Sequence, residues 1–176
     1  MPAAYSFVSR WRVNASADRV WREIEGMLRP GAARAWWPGV TLPLAPRRLV
    51  PGERLVLQVR SPLGYDLRMR LQLTDIQPGR AIGALSDGDL RGSGRLTVEK
   101  DGEAASVTVL WQVETRRAWM NATAWLLRPA FERAHAHVMR RGEAGLRAAV
   151  GAGGSEPRNA GNPRFRAESA VGTDYR

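Results

Sequence analysis

Histidine is the residue type in this sequence best suited to chemistry near neutral pH, and the chain has two, His135 and His137. An imidazole could orient a ligand carbonyl or hydroxyl group, or act as a general acid–base. Glu132 lies three residues before His135, so the two side chains could meet on a helix. His137 would lie about 200° round the same helix and is expected to be solvated. His135 is therefore the only catalytic candidate; a structural histidine bonded to a backbone carbonyl is the alternative left open.

Other catalytic and cofactor motifs do not occur in the sequence. We find no Gly-rich phosphate loop, no G-x-S-x-G and no H-E-x-x-H. The chain has no cysteine, which excludes disulfides, thiolate metal sites and a cysteine nucleophile. The two histidines cannot share a metal ion from one helix face, and no nearby carboxylates complete a ligand set. The sequence therefore predicts no metal and no cofactor, and it carries no signature of an enzyme.

The net charge of +10 raises the question of an acidic partner. Of the 27 basic residues only Lys100 is a lysine, and the arginines are spread along the whole chain without a long basic block. Specific nucleic-acid recognition usually shows a clustered patch or a motif, so we do not predict it here. A generally basic, solvated surface is the simpler interpretation.

Alternation of apolar and polar residues predicts a series of strands that would carry the site. In the first, Tyr5, Phe7 and Trp11 point to one side; tight turns at Pro78-Gly79 and Asp101-Gly102 separate later ones. Closely spaced strands joined in this way indicate an antiparallel meander. The predicted strands are 5–13, 53–60, 66–74, 80–86, 91–99 and 105–115.

Two segments have helical periodicity. Residues 17–28 form an amphipathic stripe behind Ser16, a good N-cap residue. From Pro129, which suits a first helical turn, residues 129–149 present one continuous apolar face. Beyond Val150 the periodicity ends. We therefore predict one domain over 1–150 and a disordered tail over 151–176.

Three local motifs resemble the SRPBCC superfamily, which includes START domains, polyketide cyclases and pollen-allergen-type proteins. The segment 17–21 (ADRVW) is similar to the A-x-x-V-W opening of the first helix, and 36–38 (WWP) to the aromatic–proline link that follows it. The segment 135–143 (HAHVMRRGE) resembles the H-x-x-V-M-R-x-G-E of one poorly characterised bacterial subgroup. That subgroup has an Asn before the histidine where this chain has Ala134, so a hydrogen-bonding role of the Asn is not carried over.

The resemblance implies an α+β helix-grip fold. In it, a curved antiparallel sheet of six to seven strands wraps around a long C-terminal helix, with a short helical pair after the first strand. A curved sheet cannot touch a straight helix along its whole length, so side-chain size decides whether the gap is hollow. Small residues (Ala134, Gly142, Gly145, Ala149, Gly92 and Gly94) are expected to leave space. The predicted ligand-binding residues are Trp36, Trp37, Leu67, Met69, Val109, Trp111, His135 and Met139.

Three functions are consistent with these sequence patterns. The first is binding, with transport as an extension, of a small hydrophobic or amphipathic ligand between helix and sheet. The second is a polyketide cyclase or aromatase that uses the same cavity, and it requires a polar residue opposite His135. The third is a non-catalytic interaction module with a basic outer sheet face. The arginines of that face are Arg10, Arg12, Arg68, Arg70 and Arg95.

The segment 118–128 combines Trp119, Trp125 and Leu126 with flanking arginines, a pattern that could rest on an anionic membrane surface. An ordinary amphipathic lead-in to the last helix, folded against the domain, or a homodimer contact is the favoured interpretation of the segment. No apolar stretch reaches the roughly 20 residues that span a bilayer, and the N-terminus lacks the pattern of a secretory signal. We therefore expect a cytoplasmic protein.

Overall fold

The computed structural model describes residues 4–31, 36–115 and 118–152, with side chains in all of these except 118–127. These residues form one seven-stranded antiparallel sheet, in the order β1-β7-β6-β5-β4-β3-β2, and two helices. The strands are β1 (Ala4–Val13), β2 (Val40–Leu44), β3 (Arg54–Arg60), β4 (Asp66–Gln77), β5 (Ala81–Gly88), β6 (Leu90–Asp101) and β7 (Ala104–Thr115). The helices are α1 (Ala17–Met27) and α2 (Ala118–Ala152).

The sheet keeps the alternation that the sequence predicts. On β1, Tyr5, Trp11 and Val13 are buried, whereas the intervening Val8 is 54% exposed. The first strand pairs with the last, and Phe7 lies opposite Trp111 in that ladder. The predicted Pro78-Gly79 turn is present: Gly79 has φ of 78°, and the N–H of Arg80 donates to the carbonyl of Gln77 at 2.9 Å. A glycine suits that position because it adopts positive φ without a steric penalty. All six predicted strands are confirmed, and β2 is added to them.

Helix α1 begins as predicted behind Ser16, whose hydroxyl accepts from the N–H of Arg19 at 3.4 Å. Its buried face consists of Val20, Trp21, Ile24 and Met27. Of the predicted helical pair, α1 is the one helix described between β1 and β2. Residues 28–31 and 36–39 there form turns and bends or have no regular structure, and 32–35 lie outside the described residues.

The predicted start of the C-terminal helix, α2, is wrong. It begins at Ala118, so that Pro129 lies inside it rather than in its first turn. Proline removes one backbone donor and crowds the preceding turn, but the residues before it are mostly good helix formers, and the helix continues through it. The helix also extends to Ala152, two residues into the range predicted as a disordered tail; residues 153–176 lie outside the described part.

The buried face of α2, which includes Phe131, Ala134, Met139 and Leu146, lies against the inner face of the sheet. Its closest approach is to β1 and α1, and the middle strands stay further away. Near its C-terminal end Arg147 ties it to β1, donating from Nε and Nη2 to the carbonyl of Arg12 at 2.9 and 2.8 Å. The helix is thus held along one side of the sheet, which leaves room above the middle strands. Among the described residues, no helix combines the length and the apolar character needed to cross a bilayer.

Candidate ligand-binding site

A cavity of about 260 Å³ lies between α2 and the inner face of the sheet. Its walls come from the inward positions of the strands, from α1 and α2, and from the segment that contains Trp36 and Trp37. Thirty described residues line it, and none of them is Asp, Glu, Lys or Arg. All eight residues predicted for ligand binding lie on this wall: Trp36, Trp37, Leu67, Met69, Val109, Trp111, His135 and Met139.

The two tryptophans form the wall between the helices. Their rings stack at 5.6 Å between centroids with an interplanar angle of 10°. The indole N–H of Trp36 donates to the carbonyl of Glu23 on α1 at 3.1 Å, and that of Trp37 to the carbonyl of Val138 on α2 at 2.9 Å. The edge of Trp37 also meets Trp11, at 5.2 Å and 75°. Both indole N–H groups are therefore paired, which holds both rings in place.

The glycines of α2 do not enlarge the cavity as predicted, because this tryptophan segment occupies the space they leave. A Cβ on Gly142 would lie 2.5 Å from Cε2 of Trp37. A Cβ on Gly145 would overlap the carbonyl oxygen of Trp36. Both glycines allow the segment that contains Trp36 and Trp37 to approach α2 closely. They therefore make room for one wall of the cavity and do not add to its volume.

The prediction that Gly94 on β6 leaves empty space is wrong for the same reason. A Cβ on Gly94 would overlap the six-membered ring of Trp111. Trp111 is the residue on β7 that pairs with Gly94, and its ring lies over the glycine. Gly92 faces backbone instead, since its Cβ would overlap the carbonyl oxygen of Gln112. The volume that the glycines release is thus taken by an indole ring and by neighbouring backbone. Of the small residues, Ala134 on α2 and Ala84 on β5 do border the cavity.

His135 faces the cavity as predicted, but an aromatic ring covers it. Its imidazole stacks on Phe7, and Phe7 stacks on Tyr5 with 5.7 Å between centroids and an angle of 14°. Burial lowers the pKa of His135 from 6.5 to about 4, so the ring is neutral at pH 7. No hydrogen bond to either ring nitrogen occurs among the described residues, which is unusual for a histidine kept for proton transfer.

The predicted partners of His135 lie elsewhere. Glu132 is exposed and accepts from Nε of Arg128 at 3.1 Å. The side chain opposite His135 is Phe7, whereas a cyclase mechanism at this histidine requires a polar residue there. His137 is half-buried and does not line the cavity. The described part of the chain also holds no group of three or more His, Cys, Asp or Glu side chains that could bind a metal ion.

Several lining residues were not on the predicted list. Tyr5 and Phe7 were placed on the inner face by alternation, but nothing in the sequence showed that β1 borders the cavity. Phe131 has edge-on contacts at 6.3 Å with both Tyr5 and Tyr65. Tyr65 and Ser61 come from the connection between β3 and β4, where no periodicity marks an inward position. Together these residues make one end of the cavity aromatic.

The outer face carries the predicted arginines, but several are paired with acidic side chains on the same face. Arg12 binds Asp101 at 3.0 Å, and Arg70 binds Asp87 at 2.6 Å. Arg95 binds Asp75 at 2.8 Å. Exposed pairs of this kind add little stability. They do, however, neutralise the charge of these arginines and so reduce the positive charge of the outer face. The predicted membrane contact involves Trp119, Trp125 and Leu126, whose side chains lie outside the described residues, so it stays a prediction.

Comparisons with known proteins bear on the fold. No model of a known protein family and no curated protein matches this sequence. Among solved structures, TTHA0849 from Thermus thermophilus aligns with a TM-score of 0.68 at 20% identity, over 86% of this chain and 100% of its own. The allergen-type structure Ara h 8.0201 aligns with a TM-score of 0.61 at 10% identity, over 85% of this chain and 99% of its own.

The di-domain ARO/CYC protein BexL, from the BE-7585A biosynthetic pathway, aligns with a TM-score of 0.62 at 18% identity. The alignment covers 84% of this chain but only 50% of BexL. At these identities the likeness concerns architecture, because one fold hosts many chemistries. The chain shares the fold of these proteins, and the predicted helix-grip architecture is confirmed.

Proposed function

We propose that this protein binds a small, largely apolar molecule in the cavity between α2 and the sheet. The observation that carries the proposal is a volume of about 260 Å³ whose described lining contains no charged side chain. Ligand sites are typically concave and mostly apolar, with few polar groups. A cavity of this kind stays open only if the surrounding frame holds it open.

The frame is rigid where it borders the cavity. Trp37 is held by α2 and packed against Trp11, and Gly142 and Gly145 receive the tryptophan segment without a gap. The rings of Trp111 and Phe7 are fixed by Gly94 and by the two rings that Phe7 stacks on. Because these large side chains are anchored to backbone or to one another, they cannot easily collapse into the space.

Size limits the ligand. An engineered apolar cavity of about 150 Å³ takes up benzene, so by proportion a cavity of 260 Å³ suits a molecule of about ten non-hydrogen atoms. A fused bicyclic hydrocarbon has this size. A phospholipid with two acyl chains does not fit the volume as it stands.

A cyclase-type activity has less support from the geometry. The ARO/CYC protein BexL shares the architecture, but His135 faces Phe7, lacks a hydrogen-bond partner among the described residues, and is a weak base because of its low pKa. The interaction-module function is weakened by the ion pairs that neutralise Arg12, Arg70 and Arg95.

Methionine methyl groups offer a direct test. Met27, Met69 and Met139 line the cavity, so protein carrying ¹³C-methyl methionine is titrated with naphthalene and followed by NMR. We expect the three methyl resonances to shift together and to saturate, because ring currents act only over a few ångströms. The control variant Ala134→Leu narrows the cavity and should weaken this binding. Saturating naphthalene that leaves all three resonances in place would contradict the proposal.

A further inference from the structure

The hydroxyl of Tyr5, a residue that lines the cavity, lacks a hydrogen-bond partner among the described residues. This hydroxyl is buried, and the residue as a whole is only 7% exposed. Buried hydroxyls are nearly always hydrogen-bonded, because leaving one unsatisfied destabilises the folded state. Because Tyr5 lines a cavity whose described wall carries no charge, an unpaired hydroxyl on this residue suggests that its partner is a ligand atom.

The ring that carries this hydroxyl is held on several sides. Phe7 stacks on it, and the edge contact from Phe131 supports it at 82°. The guanidinium carbon of Arg128 lies 5.7 Å from the ring centroid. These contacts leave the tyrosine little freedom to turn its hydroxyl toward another group. The hydroxyl therefore has a set position before any ligand arrives, which lowers the entropic cost of binding.

The chemistry of the site limits what the partner can be. Burial raises the pKa of Tyr5 above its ordinary value of 10.0, so the hydroxyl keeps its proton at pH 7 and can donate it. The neighbouring cation, Arg128, is already paired with Glu132. Since His135 is neutral and the described lining has no charged residue, a buried ionic group on the ligand would find no unpaired counter-charge among the described residues.

We infer that the cavity selects an uncharged ligand, mostly hydrocarbon, with one carbonyl, ether or hydroxyl oxygen that accepts a hydrogen bond from Tyr5. The inference rests on the proposed function, since it names the chemical class of the molecule that the cavity binds. Tyr5 is then the residue that orients the ligand, with its oxygen at the aromatic end formed by Tyr5, Phe7 and Phe131. The rest of the molecule lies along the methionines and tryptophans.

Three bicyclic probes separate these ideas. Indane is apolar, 1-indanone adds one carbonyl, and indane-2-carboxylate adds a negative charge. Their dissociation constants are measured by titration calorimetry at pH 7 for the wild type and for Tyr5→Phe, which removes only the hydroxyl. We expect the variant to bind 1-indanone about three- to tenfold more weakly, the usual effect of one hydrogen bond. Indane should bind both proteins within about twofold, and the carboxylate should bind neither measurably.

Each outcome of these titrations supports or overturns either the inference or the proposed function. If Tyr5→Phe binds 1-indanone as tightly as the wild type, or if it loses indane equally, the hydroxyl is not the anchor and the inference is overturned while the binding function stands. If the carboxylate binds more tightly than 1-indanone, selection for a neutral ligand is overturned. If the wild type binds neither indane nor 1-indanone at millimolar concentration, both the inference and the proposed function fail. Thermal unfolding confirms that the variant is folded before the titrations.

Discussion

The imidazole of His135 on α2 lies flat against the phenyl ring of Phe7 on β1, with 4.1 Å between ring centroids and an interplanar angle of 15°. This pair joins the helix to the edge strand and shields one face of the imidazole from water. Desolvation of this kind disfavours the charged form of histidine. The same contact therefore helps to fix the position of the ring and contributes to the burial that lowers the pKa of His135.

The first prediction concerns stability below neutral pH. The pKa of His135 is about 4 in the folded protein and 6.5 in the unfolded chain. The unfolded state therefore takes up a proton at a higher pH than the folded state, so the free energy of unfolding falls as the pH drops from about 6.5 toward 4. The full effect is about 3 kcal/mol, of which about 2 kcal/mol falls between pH 7 and pH 5. Urea unfolding at pH 7, 6 and 5 measures it, above the range where most carboxylates titrate.

His135→Phe, which keeps an aromatic ring against Phe7, should flatten this dependence. His137→Gln is the matched control, because that side chain lies outside the cavity, and it should keep the wild-type slope. Equal slopes for the wild type and His135→Phe would show that the titration of His135 does not affect folding.

The second prediction concerns the contact between α2 and the tryptophan segment. Alanine normally stabilises a helix relative to glycine by up to about 1 kcal/mol. At Gly142 the added Cβ would meet the Trp37 indole, so Gly142→Ala should instead destabilise the protein by about 1–3 kcal/mol. Gly26→Ala on α1 is the control, since no atom lies within 4 Å of its Cβ position. A Gly142→Ala variant as stable as Gly26→Ala would mean that Trp37 does not occupy this position.

The third prediction uses the open space beside Ala134. Because this buried residue borders the cavity, Ala134→Leu should place three further carbons in a void. We expect a gain of about 1 kcal/mol in the free energy of unfolding, since each buried methylene contributes about 0.8 kcal/mol and partial strain offsets the total.

Ala144→Leu is the comparison for that variant, because Ala144 is exposed on the same helix. It should change stability by no more than about 0.5 kcal/mol and leave naphthalene binding intact. If Ala134→Leu costs several kcal/mol in chemical denaturation, the space beside Ala134 is not open.

The fourth prediction follows from the unpaired hydroxyl of Tyr5. In the ligand-free protein Tyr5→Phe removes a buried donor without a partner and keeps the ring contacts, so it should raise the free energy of unfolding by about 1 kcal/mol. Tyr5→Leu also removes the stacking on Phe7 and should destabilise the protein. Calorimetric melting of the two variants compares them directly; a destabilised Tyr5→Phe would indicate that the hydroxyl has a partner in the folded state.

Much of the architecture could be predicted from local pattern. Alternation in β1 and β4, the N-cap at Ser16 and the Pro78-Gly79 turn depend on neighbours in the chain, and each is confirmed. The predicted start of α2 at Pro129 was wrong, because proline is a weak signal for a helix boundary when helix-forming residues precede it. That His135 faces the cavity followed from helical periodicity.

What the sequence by itself determined is which side of each strand and helix is apolar, since that depends only on residue spacing along one element. The tertiary structure alone decided which atoms fill the space between those apolar sides. Gly94 and Gly142 look like sources of empty volume in the sequence, yet each receives a tryptophan from another part of the chain. Whether a gap is hollow, and which hydroxyl in it lacks a partner, depends on contacts between residues far apart in sequence, which spacing along one element does not encode.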